Sequence, residues 1–187
     1  MRLLIAAAAF ALAACQPPAT KQASSAPAAS AGCSGHAQST WAADPKLTIA
    51  ISASADGPSC DKAAATLTMR GPDGAILLTQ AYNADQVMTL KGKKTSAELT
   101  AALAEWIDPT KASPNNSKDL PAWPKGQANP PGEFPFYPET DVTREIYESY
   151  RQKAAPVFCY VQGMESLSCL TWDTDRIVTL GVQTFPG

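Results

Sequence analysis

Residues 65–81 read ATLTMRGPDGAILLTQA, two apolar alternations on either side of the sequence GPDG. Gly and Pro in such a run interrupt a strand and are typical of a tight turn. Pairing across this turn sets Met69 opposite Ile76 and Leu67 opposite Leu78, so the apolar side chains share one face. The segment therefore predicts an antiparallel hairpin with one buried face.

Further strands are predicted before and after this hairpin. Leu47, Ile49 and Ile51 alternate with small or polar residues, the period of a half-buried strand. Residues 157–161 and 167–172 form a second pair of candidate strands around Gly163, and residues 177–182 form a last one. The chain thus supplies enough strands for an antiparallel sheet.

Two helices are predicted between these strands. Thr95 and Glu98 have the spacing of a capping box, and the apolar residues that follow recur every three or four positions. These residues are Leu99, Ala102, Leu103, Trp106 and Ile107. The second helix is capped by Thr140 or Asp141 and runs to about Ala154, with Val142, Ile146 and Tyr150 on one side.

The order of these elements predicts an α+β fold for one domain, residues 33–187. We expect a small antiparallel sheet with two helices packed on one face, stapled by two disulfides. Residues 109–139 hold eight of the sixteen prolines and separate the two helices. A connection of this length is often functional or mobile.

Composition excludes several classes of protein. The chain has 187 residues, of which 45% are hydrophobic and 17% charged, and Lys and Arg number 15 against 17 Asp and Glu. It is too short for an α/β barrel and too poor in charged residues for a coiled coil. It also lacks the basic excess of a nucleic-acid-binding protein, so no nucleic-acid partner is expected.

The N-terminus has the pattern of an export signal. Arg2 is followed by twelve consecutive apolar residues, Leu3 to Ala14. As a helix they would extend about 18 Å, whereas a bilayer core is ~30 Å thick. Residues 1–14 are therefore interpreted as a signal peptide rather than a membrane span.

The end of this segment, Leu12-Ala13-Ala14-Cys15, resembles the lipobox of bacterial lipoproteins. The resemblance implies cleavage before Cys15 and a lipid on its thiol. In proteins with this signal, Asp after the lipidated Cys favours the inner membrane, whereas this chain has Gln16. The resemblance thus implies a lipid anchor in the outer membrane with the domain on the periplasmic side. It covers fifteen residues and implies nothing about the rest.

Residues 15–32 connect this anchor to the domain. After Cys15 they are rich in Ala, Ser and Pro and poor in bulky apolar residues. Such a composition cannot offset the entropy of ordering, so we expect a disordered tether. By random-coil scaling it would span roughly 20 to 25 Å, which keeps the domain near the membrane.

Four cysteines remain after the lipidated Cys15, an even number that favours two disulfides in an oxidising compartment. Three pairings are possible. The strands around Gly163 would place Cys159 directly opposite Cys169, which leaves Cys33 for Cys60. A zinc site is the alternative, but the chain has no C-x-x-C pair of ligands.

Catalytic patterns in the sequence are weak. His36 is the single His, and the S-x-x-K string at 59–62 lacks the S-D-N and K-T-G motifs that accompany it in penicillin-binding proteins. Three carboxylate pairs could serve a hydrolase: Glu145 with Glu148, Glu139 with Asp141, and Asp173 with Asp175. No catalytic residue, metal site or cofactor is assigned from these patterns.

Four aromatic residues in and beside the proline-rich segment are candidates for binding: Trp123, Phe134, Phe136 and Tyr137. Aromatic side chains on a Pro-restricted backbone lose little entropy when they bind protein or sugar. They can instead pack the loop onto its own core. Tyr137 is expected to be the most exposed.

The lipobox resemblance implies a lipoprotein of the outer membrane, and the weak catalytic patterns favour a role in binding or as a structural component, without catalysis. Its expected partners are the membrane, through Cys15, and an envelope protein or peptidoglycan. The alternative is a small envelope hydrolase that uses a carboxylate pair.

Overall fold

The computed structural model of the protein describes residues 32–185. The predicted signal peptide, the lipid attachment at Cys15 and the tether as far as residue 31 lie outside the described residues. Within residues 32–185, no helix is long and apolar enough to cross a bilayer.

The described chain forms two antiparallel sheets of four strands each. The first contains β1 (Cys33–Asp44), β2 (Leu47–Gly57), β3 (Ala64–Arg70) and β4 (Ile76–Asn83), in the order β1-β2-β3-β4. The second contains β5 (Phe136–Pro138), β6 (Val157–Val161), β7 (Ser166–Asp173) and β8 (Arg176–Thr184), in the order β5-β8-β7-β6. The helices are α1 (Ser96–Trp106) and α2 (Arg144–Lys153).

The predicted α+β fold, one small sheet with two helices on one face, is therefore wrong: the protein is mostly β and has two sheets. The longest strand, β1, was not predicted. Its inward side includes Gly35, Ala37 and Ser39, which are too small or too polar to give an apolar alternation. Alternation also cannot reveal which sheet a strand joins.

The two sheets pack face to face. Trp41 of β1 contacts Phe158 of β6, with ring centroids 6.0 Å apart, and Ile49 and Leu67 lie in the same core. Helix α1 covers part of the same inner face, where Leu103 is buried. This first core holds the two sheets together.

The opposite face of the second sheet forms another core with α2 and the proline-rich segment. Leu120, Phe136 and Tyr147 are buried there against Leu180 of β8. The two helices thus lie on different layers of the fold.

The first predicted helix, its capping box and its apolar face are confirmed by α1. The Thr95 hydroxyl accepts the backbone N–H of Glu98 at 3.2 Å, and the Glu98 carboxylate accepts the N–H of Lys94 at 2.7 Å. Each residue of its predicted apolar face is buried. The second helix begins later than predicted, since Thr143 caps it. Thr140 and Asp141 consequently lie in the connection before it.

The hairpin at 65–81 is confirmed, but its predicted register is shifted by two residues. Met69 lies opposite Leu78, and Leu67 lies opposite Gln80. The turn includes Ala75, whose carbonyl accepts the N–H of Gly71, and an irregularity follows it in the ladder. A slip of two keeps Leu78 on its predicted face, but Ile76 is left 58% exposed.

Both predicted disulfides are present. Cys33 bonds Cys60 and joins the start of β1 to the turn after β2. Cys159 bonds Cys169 directly across the β6–β7 ladder, as the strand register predicted. The four cysteines thus form covalent cross-links within the domain.

Candidate functional site

Residues 139–143 connect β5 to α2 and contribute side chains to two concave surfaces. On one side lies a groove of about 460 Å³, named here the Tyr137 groove. On the other side lies a cleft of about 470 Å³ between the two sheets, named here the inter-sheet cleft. Glu139 lines both concavities. Side chains from one short connection therefore face two distinct surfaces.

The alternation of β5 decides which aromatic ring faces the groove. Phe136 is fully buried against Tyr147, with ring centroids 5.5 Å apart, whereas the next residue, Tyr137, is 49% exposed. The three residues of β5 pair with β8, where Tyr137 lies opposite Val182. A strand of two-residue period thus places one ring in the core and its neighbour at the surface.

Gly181 of β8 permits this close pairing. Its φ of 151° lies in a region that side-chain-bearing residues rarely adopt. A Cβ at this position would collide with the carbonyl oxygen of Tyr137 and with Pro138. The glycine therefore fixes how closely β5 approaches β8.

Trp123 forms the other aromatic side of the groove and is held by its backbone. Its N–H donates to the Glu148 carboxylate at 2.6 Å, and its carbonyl accepts from Arg144 at 2.8 Å. Its indole N–H donates to the carbonyl of Gln127 at 2.9 Å, and its ring packs edge-on against Tyr147. Trp123 is thus positioned before any ligand arrives.

Glu148 is central to this arrangement. It accepts from Arg151 at 2.8 Å as well as from Trp123. Burial alone would raise the pKa of Glu148, but the hydrogen bonds from Trp123 and Arg151 prevail and hold it below its ordinary value. Glu148, a residue of α2, therefore carries a negative charge that holds the backbone of Trp123 against this helix.

The structure brings two of the four predicted aromatic residues together. Trp123 and Tyr137 line the same groove, together with Pro138. Phe134 is 40% exposed but packs on Phe185, with ring centroids 4.9 Å apart, and does not line the groove. Phe136 belongs to the core.

The groove also contains polar residues that the sequence did not single out. Asn129, Thr140 and Thr143 lie around its aromatic rings. The sequence considered Thr140 only as a helix cap, and no pattern marks these residues for binding, because they come from the proline-rich segment and from the connection to α2. The turn of the chain after β5 brings Thr140 and Thr143 to the groove, whereas Asn129 follows Trp123 within the proline-rich segment.

The three predicted carboxylate pairs have different surroundings. The Glu145 side chain is 78% exposed, while Glu148 is bound to Arg151. Asp173 accepts the Tyr150 hydroxyl at 2.8 Å, and Asp175 lies exposed in the β7–β8 turn.

Glu139 and Asp141 form the one predicted pair of which both members line a concavity, the inter-sheet cleft. They come from the same short connection. Among residues 32–185, no group of three or more His, Cys, Asp or Glu residues is arranged to hold a metal ion.

The remaining sequence candidates do not converge on the groove or the cleft. His36 is exposed on the outer face of β1, opposite Ser54. In the S-x-x-K string, Cys60 is occupied by its disulfide. Comparison with known proteins adds no further candidate: no family model, curated protein or solved structure matches the chain.

Proposed function

We propose that the protein is a lipid-anchored, non-catalytic binding component of the bacterial outer membrane, and that its Tyr137 groove binds the glycan of the peptidoglycan layer. The observation that carries the proposal is the exposed ring of Tyr137 beside the fixed ring of Trp123 in one groove. The location comes from the lipobox resemblance at Cys15.

One feature of the described domain supports a location outside the cytoplasm. Each of the four cysteines after Cys15 is joined in a disulfide, and such bonds persist in oxidising compartments. A tether of the predicted length would keep the domain within reach of the polymer beside the membrane.

The chemistry of the groove suits a sugar ring. Aromatic rings offer a flat apolar surface to the C–H groups of a sugar, and the Tyr137 hydroxyl adds a polar end. Asn129, Thr140 and Thr143 supply hydrogen-bond donors and acceptors around these rings. A sugar presents the same combination of apolar faces and hydroxyl edges.

Preorganisation favours binding at this site. The backbone hydrogen bonds of Trp123 and the pairing of β5 restrict both sides of the groove. A ligand therefore orders few protein groups when it binds, which reduces the entropic cost.

Co-sedimentation with isolated peptidoglycan sacculi tests the proposal, with the full lipidated chain in detergent. We expect Tyr137→Ala to weaken binding by roughly tenfold, as loss of a central aromatic contact does. Ile76→Ala is the matched control, since Ile76 is an exposed apolar residue outside the groove. Equal sedimentation of Tyr137→Ala and the wild type would contradict the proposal.

A photo-crosslinking amino acid at position 137, in the native host, distinguishes the glycan from the alternative partner. Crosslinks to glycan are the expected result. Crosslinks to one envelope protein, with no sacculus binding, would replace the glycan by that protein.

The anchor requires a separate experiment. Mass spectrometry of the mature chain should find a lipid on Cys15, and Cys15→Ser should abolish it and release the protein from membranes. A mature wild-type chain without lipid would overturn the proposed location. The hydrolase alternative stays a prediction, and release of soluble fragments from sacculi, abolished by Glu139→Gln, would favour it.

A further inference from the structure

The inter-sheet cleft differs from the Tyr137 groove in its chemistry. It lies between β4 of the first sheet and β8 of the second, and its surface is mostly polar. Its polar side chains include Gln80, Glu139, Asp141, Gln162 and Arg176.

The position of Gln80 shows that the cleft exists because the second sheet leaves part of the first sheet uncovered. Gln80 lies opposite Leu67 in the β3–β4 ladder, so both side chains belong to the inner face of the first sheet. Leu67 is fully buried, whereas Gln80 is exposed. The inner face is thus open to solvent at β4, because the second sheet does not cover it there.

Two tyrosines close the inner end of the cleft. The hydroxyl oxygens of Tyr82 and Tyr160 lie 2.8 Å apart, and Tyr160 is almost fully buried. Burial raises the pKa of both hydroxyls, and their proximity adds to the shift at Tyr82. These groups are neutral and can both donate and accept hydrogen bonds.

The charged side chains of the cleft have no side-chain partners within residues 32–185. Within residues 32–185, the side chains of Glu139, Asp141 and Arg176 form no hydrogen bond with another side chain and no ion pair within 4.0 Å. Neighbouring charged groups behave differently, since Glu148 and Arg151 are fully engaged with each other and with the backbone. The cleft thus presents two carboxylates and one guanidinium that are available to a ligand.

The free energy of desolvation decides which ligand suits these groups. A ligand that fills the cleft removes water from both carboxylates and from Arg176. Burial of a charged group costs several kcal/mol of hydration free energy, and a partner of opposite charge can offset this cost. A neutral sugar offers no such partner, whereas a zwitterion offers an ammonium and a carboxylate at once.

From this complementarity we infer that the inter-sheet cleft binds a small zwitterionic ligand of the amino acid or short peptide class. Its ammonium pairs with Glu139 and Asp141, its carboxylate pairs with Arg176, and its amide groups bond to Gln80 and Gln162. The inference does not depend on glycan binding at the Tyr137 groove.

Isothermal titration calorimetry with the full chain in detergent tests the inference. The probe is alanyl-alanine, and two relatives each lack one charge: N-acetyl-alanyl-alanine and alanyl-alanine amide. Glu139→Gln and Arg176→Gln should each weaken binding of alanyl-alanine by roughly tenfold or more, as loss of a charged hydrogen bond does. Glu105→Gln and Lys111→Gln, at exposed positions outside the cleft, should leave the affinity unchanged.

The modified probes identify which side chain meets which charge. Glu139→Gln should have little further effect on the acetylated probe, and Arg176→Gln should have little further effect on the amide. Absence of binding, equal affinity for the three probes, or equal effects of both substitutions on both modified probes would each overturn the inference.

A competition experiment identifies the source of the ligand. Displacement of alanyl-alanine by isolated sacculi supports peptides attached to the polymer, and a lack of displacement supports free peptides. Because this experiment does not involve Tyr137, its result is independent of the glycan proposal.

Discussion

The hydroxyl groups of Tyr82 and Tyr160 form a hydrogen bond of 2.8 Å that joins the two sheets at the end of the inter-sheet cleft. Tyr82 belongs to β4 and Tyr160 to β6. The two residues differ in exposure, since Tyr160 is almost fully buried and Tyr82 is half-buried. Loss of either hydroxyl should therefore change the free energy of unfolding by a different amount.

We expect Tyr82→Phe to lower the free energy of unfolding by about 1 kcal/mol, because the buried Tyr160 hydroxyl loses its hydrogen bond to Tyr82. Tyr160→Phe should cost less, since water can replace the bond at the half-buried Tyr82. Urea unfolding of both variants measures the difference. A larger loss for Tyr160→Phe than for Tyr82→Phe would contradict this account.

The stability of the domain should fall in alkaline solution. Burial raises the pKa of Tyr150 to about 12, with a contribution from its bond to Asp173, and also raises the pKa values of Tyr82, Tyr147 and Tyr160. A raised pKa in the folded state stabilises the protein below the ordinary tyrosine value of about 10, and this contribution is lost as the pH rises further. Absorbance titration should show these hydroxyls ionising together with the loss of near-UV circular dichroism. Their ionisation near pH 10 in a folded chain would contradict the prediction.

The stability of the domain should also fall in acid, because of Glu148. Its lowered pKa stabilises the folded protein above the ordinary value of 4.5, and this stability is lost as the pH falls through the folded value. Glu148→Gln should cost about 1 kcal/mol at pH 7 and reduce the acid sensitivity measured by urea unfolding at pH 7 and pH 3. Glu145→Gln is the matched control, because that carboxylate is exposed. Equal behaviour of the two variants would exclude the proposed role of Glu148.

The two disulfides should differ in their contributions. The Cys33–Cys60 bond closes a loop with a sequence separation of 27, against 10 for Cys159–Cys169. In the loop-entropy description, the longer loop gives roughly 1 kcal/mol more stability. Thermal and urea unfolding of the two double Cys→Ala variants compares them. The reverse order would show that native packing outweighs loop closure here.

Gly181→Ala should disturb both the fold and the groove. The new Cβ would collide with the Tyr137 carbonyl, so β5 has to move. We expect a loss of roughly 2 kcal/mol or more, together with weaker sacculus binding. Gly74→Ala is the control: it also has a positive φ, but no atom lies within 4 Å of its added Cβ. Equal effects of the two substitutions would remove the assigned role of Gly181.

Local features of the fold were predictable because they depend on neighbouring residues. The capping of α1 and its buried face follow from residues 95–107, and the Cys159–Cys169 bond follows from the register of one hairpin. The division into two sheets depends on contacts such as Trp41 with Phe158, which are distant in sequence. No local periodicity encodes such contacts.

The candidate site shows the same division. The exposure of Tyr137 agrees with the expectation from its sequence context, whereas the burial of Phe136 depends on the pairing of β5 with β8. The sequence offered the Glu139–Asp141 pair that lines the inter-sheet cleft, but it could not predict the cleft itself. Its residues, such as Gln80 and Arg176, come together only when the second sheet packs on the first.

Trp106 lies edge-on to both Tyr82 and Tyr160, at centroid distances of 5.7 and 6.0 Å, and its indole donates to the carbonyl of Val161. Trp123 occupies the other concavity. The chain therefore carries an intrinsic fluorophore beside each of its two candidate sites. Trp123→Phe leaves Trp106 beside the cleft, and Trp106→Phe leaves Trp123 in the groove, while Trp41 and Trp172 are common to both variants. Comparing how the emission of the two variants changes when a ligand is added therefore distinguishes occupancy of the cleft from occupancy of the groove, without any attached dye.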